Sequence, residues 1–400
     1  MSRIGILTPC FVTGDAVGND VAGMYEVLSA QGHKVRIFDA NLGEGDRLPL
    51  FFWRSLPRQF RRMKLKKRLP RLERSAAGPL HIWPATGVST FLKDSTDVLI
   101  YHFAMGWQTG LDLLQNTSYR RVVKWHNITP AHFFTNYSWE YEAVCEEGRQ
   151  QLATIANLGC DLYLSDSEYN AAEFLAAGAP NERCAVVPPF THTEQVSSMD
   201  ADLQSFGYCD GKVNLLTVGR LSPNKGHELL IDAFDIYHRE FNPDSRLLIL
   251  GKDLEKLESY SALLNEKVKQ LELGAAVVFT GEVSEAELKT YYLISDLLVL
   301  ASEHEGFCVP LIEAMSLKLP IIACESSAVP STLGEAGVLL KDRNSRSLAT
   351  AIDKLIRNER QRFELARSGR DRYEQLFTRN AIKARFLNAV RPVLPGNISG

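Results

Sequence analysis

The sequence lacks the features of membrane-spanning, disulfide-rich and zinc-finger proteins. No apolar run approaches the roughly 18 residues that a membrane-spanning helix needs. The seven cysteines are scattered and form no C-x-x-C pair, so neither a disulfide framework nor a zinc site is predicted. A net charge of −3 indicates no nucleic-acid partner. The opening stretch carries no signal-peptide cleavage pattern, and we expect a cytoplasmic protein.

Short apolar runs alternate with amphipathic segments, which predicts an α/β protein with parallel sheets. At about 100–200 residues per domain, 400 residues suggest two domains. A helix is predicted at about residues 20–31, and residues 347–393 are predicted to be helical with one break near Thr378. The predicted strands cover residues 3–7, 35–38, 97–101, 121–125, 162–165 and 184–187 in the first half, and 213–218, 246–250, 277–280, 297–301, 320–323 and 337–340 in the second.

A polar, turn-rich stretch at residues 188–212 separates the two halves, and we place the join there. It contains a D-x-D pattern, Asp200-Ala201-Asp202, of the kind found in some metal sites. We interpret these three linker residues as a solvated loop and predict no metal ion.

Two cations follow a predicted strand of the second half. In VGRLSPNKGHELL, Arg220 and Lys225 lie between the strand end at Gly219 and a helix that begins near Gly226. Ligands of open α/β sheets bind beyond the carboxyl ends of strands. A helix N-terminus and a bidentate arginine suit a diphosphate. The alternative interpretation is a pair of surface cations in a loop.

Two glutamates flank an apolar turn in SEHEGFCVPLIEA. Glu305 lies in a loop after a predicted strand, beside Gly306, where the missing side chain lets a ligand approach the backbone. Pro310 is favoured at a helix start, so Glu313 is expected in the first helical turn. There it would stabilise the helix dipole, a structural reason that Glu305 lacks.

Histidines follow two predicted strands of the first half, and each precedes aromatic residues. A lone histidine is more often structural, but two at successive strand ends favour a pocket for His126 and leave both interpretations open for His102. In TPCFVTGDAVGND, Gly14 and Gly18 either let a loop approach a ligand or form an ordinary tight connection. The stretch is not a G-x-G-x-x-G pattern.

Residues 48–75, LPLFFWRSLPRQFRRMKLKKRLPRLERS, combine an aromatic cluster with many Arg and Lys and a single acidic residue, Glu73. Phe51, Phe52 and Trp53 would lie near lipid headgroups, and each cation would contribute up to about 1 kcal/mol on an anionic surface. We favour contact with an anionic membrane or a lipid-linked substrate over RNA contact or a solvated helical face.

The motifs GRLSPNKG and EGFCVPLIEA, in this order and after a histidine that follows KW, resemble those of GT4-type retaining glycosyltransferases of the GT-B fold. The resemblance covers most of the chain. It implies two Rossmann-like domains that face each other across a cleft. Residues 1–195 would bind the acceptor and residues 196–375 the nucleotide-sugar, and residues 376–400 would form a helix that packs back on the first domain.

The resemblance also implies roles for the motif residues. Arg220 and Lys225 would hold the donor diphosphate and neutralise the departing nucleotide. Glu305 would bind the transferred sugar, together with the backbone N–H groups of Gly306 and Phe307.

The remaining motif residues would surround these groups. Glu313 would bind the ribose hydroxyls, and His126 would lie over the sugar near the anomeric centre. His102 and the loop of Gly14, Asp15 and Gly18 would contact phosphate or acceptor, although family members usually carry a Gly-Gly pair where this chain has Gly14 followed by Asp15.

The residue types fit the chemistry of sugar transfer. Departure of a nucleotide diphosphate builds negative charge, which fixed cations stabilise without a metal ion or other cofactor. The family is thought to retain configuration by front-face attack, with the leaving phosphate as the proton acceptor. We therefore expect Glu305 to position sugar hydroxyls and not to act as a covalent nucleophile, unlike the carboxylate of a retaining glycosidase.

The segments KWHNITPAHFF and AVCEEGRQQL resemble bacterial enzymes that build lipid-linked surface polysaccharides such as O-antigen from mannose- or rhamnose-type sugars. This resemblance favours a GDP-linked mannosyl-type donor over a UDP-linked one, a lipid-linked saccharide acceptor, and a place at the cytoplasmic face of the inner membrane. Two alternatives are a nucleotide-sugar epimerase of the same fold, expected to lack this combination of cations and glutamates, and a non-catalytic nucleotide-sugar-binding protein.

Overall fold

The computed structural model describes residues 2–42, 71–75, 78–201 and 207–394. The greater part of the basic segment, residues 48–70, lies outside these residues, as does Asp202 of the D-x-D pattern. Within the described ranges, no helix combines the length and the apolar character that crossing a membrane requires.

The chain divides into two compact units. The first comprises Met1–His132, Trp139–His192 and Arg379–Gly400, and the second comprises Phe133–Ser138 and Thr193–Thr378. The first unit thus includes the last helix of the chain. The sequence did not predict that residues 133–138 belong with the second unit.

The first unit is built on an eight-stranded sheet with the strand order β3-β4-β2-β1-β5-β6-β7-β8. All neighbours are parallel except β3 and β4, which are antiparallel. Its strands are β1 (Arg3–Thr8), β2 (Lys34–Asp39), β3 (Arg71–Ser75), β4 (Gly78–Pro84), β5 (Val98–Phe103), β6 (Arg120–Trp125), β7 (Leu162–Ser165) and β8 (Cys184–Val186). Its helices are α1 (Ala16–Ala30), α2 (Val88–Phe91), α3 (Gln108–Gln115), α4 (Trp139–Ala156) and α5 (Glu168–Ala176), with the last helix of the chain, Arg379–Val390.

Six of these strands lie within two residues of the sequence prediction, because each contains a short run of apolar residues. Two differences matter for the site. The antiparallel pair β3–β4 was not predicted, because β3 (RLERS) is largely charged and β4 (GPLHIWP) contains two prolines, which are uncommon within strands. Strand β5 continues to Phe103, so His102 lies inside the strand, and the prediction that it follows the strand was wrong.

The second unit contains a parallel six-stranded sheet with the order β11-β10-β9-β12-β13-β14. Its strands are β9 (Val213–Val218), β10 (Ser245–Leu250), β11 (Val277–Gly281), β12 (Leu297–Leu300), β13 (Ile321–Cys324) and β14 (Val338–Leu340). Its helices are α6 (Thr193–Ser198), α7 (His227–Ile236), α8 (Glu258–Gln270), α9 (Glu285–Ile294), α10 (Val309–Ser316), α11 (Val329–Leu333), α12 (Ser345–Arg357) and α13 (Glu359–Leu376), and the helix of the first unit that follows is α14 (Arg379–Val390).

Two helical predictions needed correction in this half. Helix α6 occupies part of the stretch that was read as a linker. The C-terminal helices break at Asn358 as well as near Thr378, because the Asn358 side chain leaves the helical path and accepts the backbone N–H of Gln361 to start α13.

Candidate functional site

In the second unit, the loops after β9 and β12 are fixed to each other through Asn224. Its side-chain amide donates to the His304 carbonyl at 3.0 Å, and its own carbonyl accepts the Glu303 N–H at 2.8 Å. Strands β9 and β12 are neighbours in the sheet, so both loops leave the same edge. The motifs GRLSPNKG and EGFCVPLIEA therefore meet at the carboxyl ends of adjacent strands.

Gly226 makes this approach sterically possible at the start of α7. Its φ of +67° is in the left-handed region, and a Cβ there would lie 2.0 Å from the carbonyl oxygen of Ala301. Only glycine avoids both the strain and the clash. The residue also serves as the N-cap of α7, which opens that helix directly behind Lys225.

Lys225 and Glu305 form an ion pair that joins the two motifs. Lys225 Nζ lies 2.7 Å from Glu305 Oε1, and the Ser302 hydroxyl donates to the same oxygen at 2.8 Å. The other carboxylate oxygen, Oε2, makes no hydrogen bond within the described ranges. The side chains are 19% and 9% exposed, so the pair is largely removed from water and only weakly screened.

The backbone at Glu305 is held by the Ser327 hydroxyl, which accepts the Glu305 N–H at 2.7 Å and donates to the Glu305 carbonyl at 2.9 Å. Of the two residues that follow, Gly306 is half-buried and Phe307 is buried with its ring against Phe377. The loop therefore presents the Glu305 carboxylate from a fixed backbone.

Arg220 is the motif residue that the structure does not join to this group. Its side chain is exposed and makes no hydrogen bond or ion pair with the rest of the described chain. An exposed guanidinium is available to a ligand, but the position of Arg220 alone does not distinguish a diphosphate ligand from a surface cation.

The expected position of Glu313 in a first helical turn was wrong. It is the fifth residue of α10, which begins at Val309, and it is buried. The Tyr292 hydroxyl donates to Glu313 Oε2 at 2.6 Å. Burial, together with the Glu313 charge, raises the pKa of Tyr292 well above its ordinary value. The contact with Tyr292, and not the helix dipole, thus supplies the structural reason for Glu313.

Arg343 was missed by the sequence analysis. Its guanidinium donates to the carbonyls of Ser302 at 2.7 Å and Ala301 at 2.8 Å, where β12 ends. It lies in a separate segment after β14, and no local pattern in its neighbourhood marks it. Arg343 holds the two carbonyls that precede the Glu305 loop.

In the first unit, five titratable side chains cluster at the carboxyl ends of β5, β6 and β7. His102 Nδ1 lies 2.8 Å from His126 Nε2, and His126 Nδ1 lies 2.9 Å from Asp166 Oδ2. Lys124 Nζ lies 2.7 Å from Asp166 Oδ1. Asp20 Oδ2, contributed by α1, lies 3.7 Å from His126 Nε2 and 3.9 Å from Lys124 Nζ. All five side chains are buried almost completely.

Charge and burial set the protonation within this cluster. Burial, with the nearby His126 and Lys124, lowers the pKa of His102 well below its ordinary value, so His102 is neutral. Burial alone would raise the pKa of Asp166, but His126 and Lys124 outweigh it and hold that pKa below its usual range. Burial raises the pKa of Asp20 against the opposing effect of Lys124.

Both ring nitrogens of His126 are therefore occupied, one by an ionised Asp166 and one by His102. The sequence analysis found the two histidines but missed Asp20, Lys124 and Asp166. Asp166 directly follows β7, so the strand-end rule that selected His126 would also have selected it.

The loop after β1 has a structural explanation. The Asp15 side chain accepts the Gly18 N–H at 2.5 Å and caps α1. A Cβ at Gly18 would lie 1.9 Å from the Val12 carbonyl oxygen, whereas Gly14, at φ +91°, faces open space. The roles of Asp15 and Gly18 in the tight connection that starts α1 explain both residues. Gly14 is the position of this loop that has open space next to its backbone.

Solved structures share this architecture. Over 98% of this chain and 99% of the other, the sucrose-phosphate synthase of Thermosynechococcus elongatus superposes with a TM-score of 0.72 at 18% identity. Anabaena Alr3699/HepE, crystallised with UDP, superposes over 98% of this chain and 100% of the other with a TM-score of 0.69, also at 18% identity. Two parallel-sheet α/β units with these neighbours define the GT-B fold.

The sequence comparisons give similarities for parts of the chain. Residues 199–372 match the family described as "Glycosyl transferases group 1", and parts of the chain are similar to curated proteins. Mannosylfructose-phosphate synthase of Agrobacterium fabrum is 32% identical over 48% of this chain and 43% of its own. The GDP-mannose-dependent alpha-(1-6)-phosphatidylinositol monomannoside mannosyltransferase of Mycobacterium tuberculosis is 21% identical over 53% of this chain and 57% of its own. The chain thus spans about half the length of these relatives.

Proposed function

We propose that the protein is a retaining glycosyltransferase that moves a sugar, with a mannose-type sugar favoured, from a nucleotide-diphosphate donor to a lipid-linked saccharide. The family match of the second unit supports the transferase class. The names of the two curated relatives, both of which refer to mannosyl products or donors, support the sugar. The UDP bound to the Anabaena protein supports a nucleotide as the donor's leaving group.

The observation that carries the proposal is the ion pair between Lys225 and Glu305. It brings a cation suited to a diphosphate within 2.7 Å of a carboxylate suited to sugar hydroxyls. A nucleotide-sugar carries both groups within one molecule, with the phosphate bonded directly to the sugar. We place the phosphates beside Lys225 and Arg220 and the sugar beside Glu305.

The contacts of Glu305 favour a positioning role over a nucleophilic one. Its Oε1 already accepts from Lys225 and Ser302, which stabilises the charged carboxylate and lowers its nucleophilicity. Oε2 remains to accept from a sugar hydroxyl. Mass spectrometry after donor incubation should therefore detect no glycosyl adduct at Glu305, and a trapped adduct would refute this role. The anomeric configuration of the product, read from its NMR coupling constants, tests retention.

In this proposal, Arg220 and Lys225 stabilise the negative charge that develops on the leaving group. Fixed cations aimed at a departing diphosphate stabilise it without added magnesium. His126 has both ring nitrogens occupied, so we assign it a positioning role near the sugar and not that of a general base.

A panel of nucleotide-sugars tests the donor directly. We expect GDP-mannose to raise the unfolding temperature more than UDP-glucose or dTDP-rhamnose. A donor at 100 times its dissociation constant should add about 2.7 kcal/mol to the free energy of unfolding. Stabilisation by a UDP-sugar alone would overturn the GDP preference, and no stabilisation by any donor would overturn the transferase proposal.

The acceptor side of the proposal rests on residues 48–75 and on the lipid acceptor in the name of the mycobacterial relative. We propose that this segment brings the protein to an anionic membrane surface. Neutralising Arg61, Arg62, Lys66 and Lys67 should lower binding to vesicles that contain phosphatidylglycerol. Unchanged vesicle binding would refute this proposal and favour the interpretation of the segment as a solvated surface.

A further inference from the structure

His126 is held at both of its neighbours in the chain by side chains that the transferase proposal does not use. It directly follows β6, and its backbone N–H donates to the Phe103 carbonyl at 3.1 Å. The chain then leaves the sheet at Asn127, whose φ of +69° lies in the left-handed region. Asparagine is among the few non-glycine residues that adopt this conformation, at a cost that surrounding contacts must offset. The path of the backbone at His126 therefore depends on what holds Asn127.

Glu173, on α5, contacts the residues on either side of His126. Its Oε2 accepts the Asn127 side-chain amide N–H at 2.7 Å and the Trp125 indole N–H at 3.3 Å, and its Oε1 accepts from the Arg149 guanidinium at 2.6 Å. The Glu173 side chain is only 13% exposed. A carboxylate forms stronger hydrogen bonds with such donors than a neutral acceptor does. Glu173 therefore ties both neighbours of His126 to one point on α5.

Two further side chains complete these contacts. Asn170, also on α5, accepts from the Asn127 side-chain amide at 2.8 Å and donates to the Trp125 carbonyl at 3.4 Å. Arg149, on α4, donates to the Ile128 carbonyl at 2.9 Å and to Asn127 Oδ1 at 3.4 Å. Both polar atoms of the Asn127 side chain thus have partners, and two helices hold it.

The imidazole ring of His126 is held separately from its backbone. His126 Nδ1–H donates to Asp166 at 2.9 Å, and Nε2 lies 2.8 Å from His102 Nδ1. Such contacts weaken beyond about 3.2 Å, so a displacement of about 1 Å along either of them would break it. The ring therefore keeps both partners only while the backbone on either side of it stays in place.

The Asn127 clamp consists of Arg149, Asn170 and Glu173. It joins the two segments that resemble polysaccharide-building enzymes, because Asn127 belongs to KWHNITPAHFF and Arg149 to AVCEEGRQQL. Asn170 and Glu173 come from a third segment, which no sequence pattern marked. The contact between the two segments thus lies directly beside His126.

We propose that the Asn127 clamp positions His126 for sugar transfer. The proposal rests on the transferase function and deepens the role that His126 has in it. The clamp acts through the backbone on either side of His126, so its residues are positioning residues. Its loss should lower the rate of bond breaking and leave donor binding unchanged, since we assign the donor phosphates to Arg220 and Lys225.

Glu173→Gln is the direct test, because an amide keeps the shape of the side chain but offers one acceptor oxygen to three donors. The probe is GDP-mannose with water as the acceptor: the sugar–phosphate bond breaks, water supplies the hydroxyl, and GDP leaves with the proton. We expect kcat to fall by up to about 100-fold, the cost of a misplacement of about 1 Å, with KM unchanged. Glu168→Gln, at an exposed position of α5, is the matched control and should behave as the wild type. An unchanged kcat in a folded Glu173→Gln would overturn the proposal.

Two variants of Asn127 separate positioning from a general loss of packing. Asn127→Gly and Asn127→Ala both remove the clamped side chain, but glycine adopts a positive φ freely and alanine does not. Asn127→Gly should therefore keep a higher kcat than Asn127→Ala. Circular dichroism confirms that both variants are folded. Equal loss of kcat in the two variants would show that the clamp does not act through this backbone conformation.

The ring signals of His126 give a readout that does not depend on turnover. In the full chain with isotope-labelled histidine, the variant His126→Gln assigns them by NMR. Because Asp166 keeps the proton on Nδ1, the wild type should show two well-separated ring-nitrogen shifts, which should move together in Glu173→Gln as the fixed tautomer is lost. Identical shifts in the wild type and Glu173→Gln would overturn the positioning role. A wild type that releases no GDP would instead contradict the transferase proposal.

Discussion

Lys225 Nζ and Glu305 Oε1 lie 2.7 Å apart, although 80 residues separate them in the sequence. Each residue lies in a loop that follows a parallel strand, and the two strands are neighbours. The ion pair therefore contributes to the stability of the second unit. Its two members are also the residues that we assign to the donor phosphate and the donor sugar.

The first prediction concerns the stability of this pair. Lys225→Met should lower the free energy of unfolding by about 1–3 kcal/mol, because it leaves the buried Glu305 carboxylate without its cation. The double variant with Glu305→Gln should lose less than the sum of the two single variants. Urea unfolding of the four proteins measures the coupling energy.

A surface pair provides the comparison. Arg360 and Glu364, whose side chains are 89% and 60% exposed, should couple by no more than about 0.5 kcal/mol. Equal coupling in the two cycles would mean that burial contributes nothing at Lys225 and Glu305.

The second prediction concerns the glycine that lets the two loops approach. Gly226→Ala should lower the free energy of unfolding by at least about 2 kcal/mol, since it adds left-handed strain to a clash with Ala301. It should also weaken donor binding by displacing Lys225. Gly274→Ala is the control, because no atom lies within 4 Å of the added Cβ. Equal stability of the two variants would contradict the packing described for Gly226.

The third prediction concerns pH. Burial, with the charge of Lys225, lowers the pKa of His227 from 6.5 to about 3. Below pH 6.5 the unfolded chain binds a proton at His227 that the folded chain does not. Stability from this residue is therefore complete above pH 6.5 and is lost as the pH falls toward 3, by at most about 1.4 kcal/mol per pH unit.

His227→Gln should remove this dependence. The difference in unfolding free energy between wild type and His227→Gln should shrink steadily from pH 6.5 to pH 4.5 in urea titrations. His132→Gln, at an exposed histidine, should give a curve parallel to that of the wild type. A constant wild-type-to-His227→Gln difference would show that His227 titrates normally in the fold.

Strand positions could be predicted from the sequence because they depend on local composition. A run such as Val213–Val218, VNLLTV, is mostly apolar and is bounded by turn residues, so its ends are defined without tertiary information. The pair β3–β4 has no such composition, and only its pairing along the edge of the sheet makes it a strand. The break at Asn358 was missed because both flanking segments have helical composition.

The site was predictable where it follows strand ends and not where it depends on packing. Lys225, Glu305 and His126, which lie in the two clusters, were singled out by their places after strands. Arg220 was selected in the same way, and its contact with the donor stays a prediction. Arg343 reaches the end of β12 from another segment, and Asp20 reaches the histidines from a helix. Such contacts depend on which strands are neighbours, and a single sequence does not contain that information.

The fourth prediction tests the central claim, that the donor diphosphate binds at the GRLSPNKG loop. The measurement is the affinity of GDP for the wild type, Arg220→Ala and the exposed control Arg360→Ala by isothermal titration calorimetry. Loss of a charge-assisted contact of about 1.5–3 kcal/mol should weaken GDP binding by roughly 10–150-fold in Arg220→Ala, with the stability of the fold unchanged and Arg360→Ala like the wild type. Equal GDP affinity in all three proteins would contradict the account.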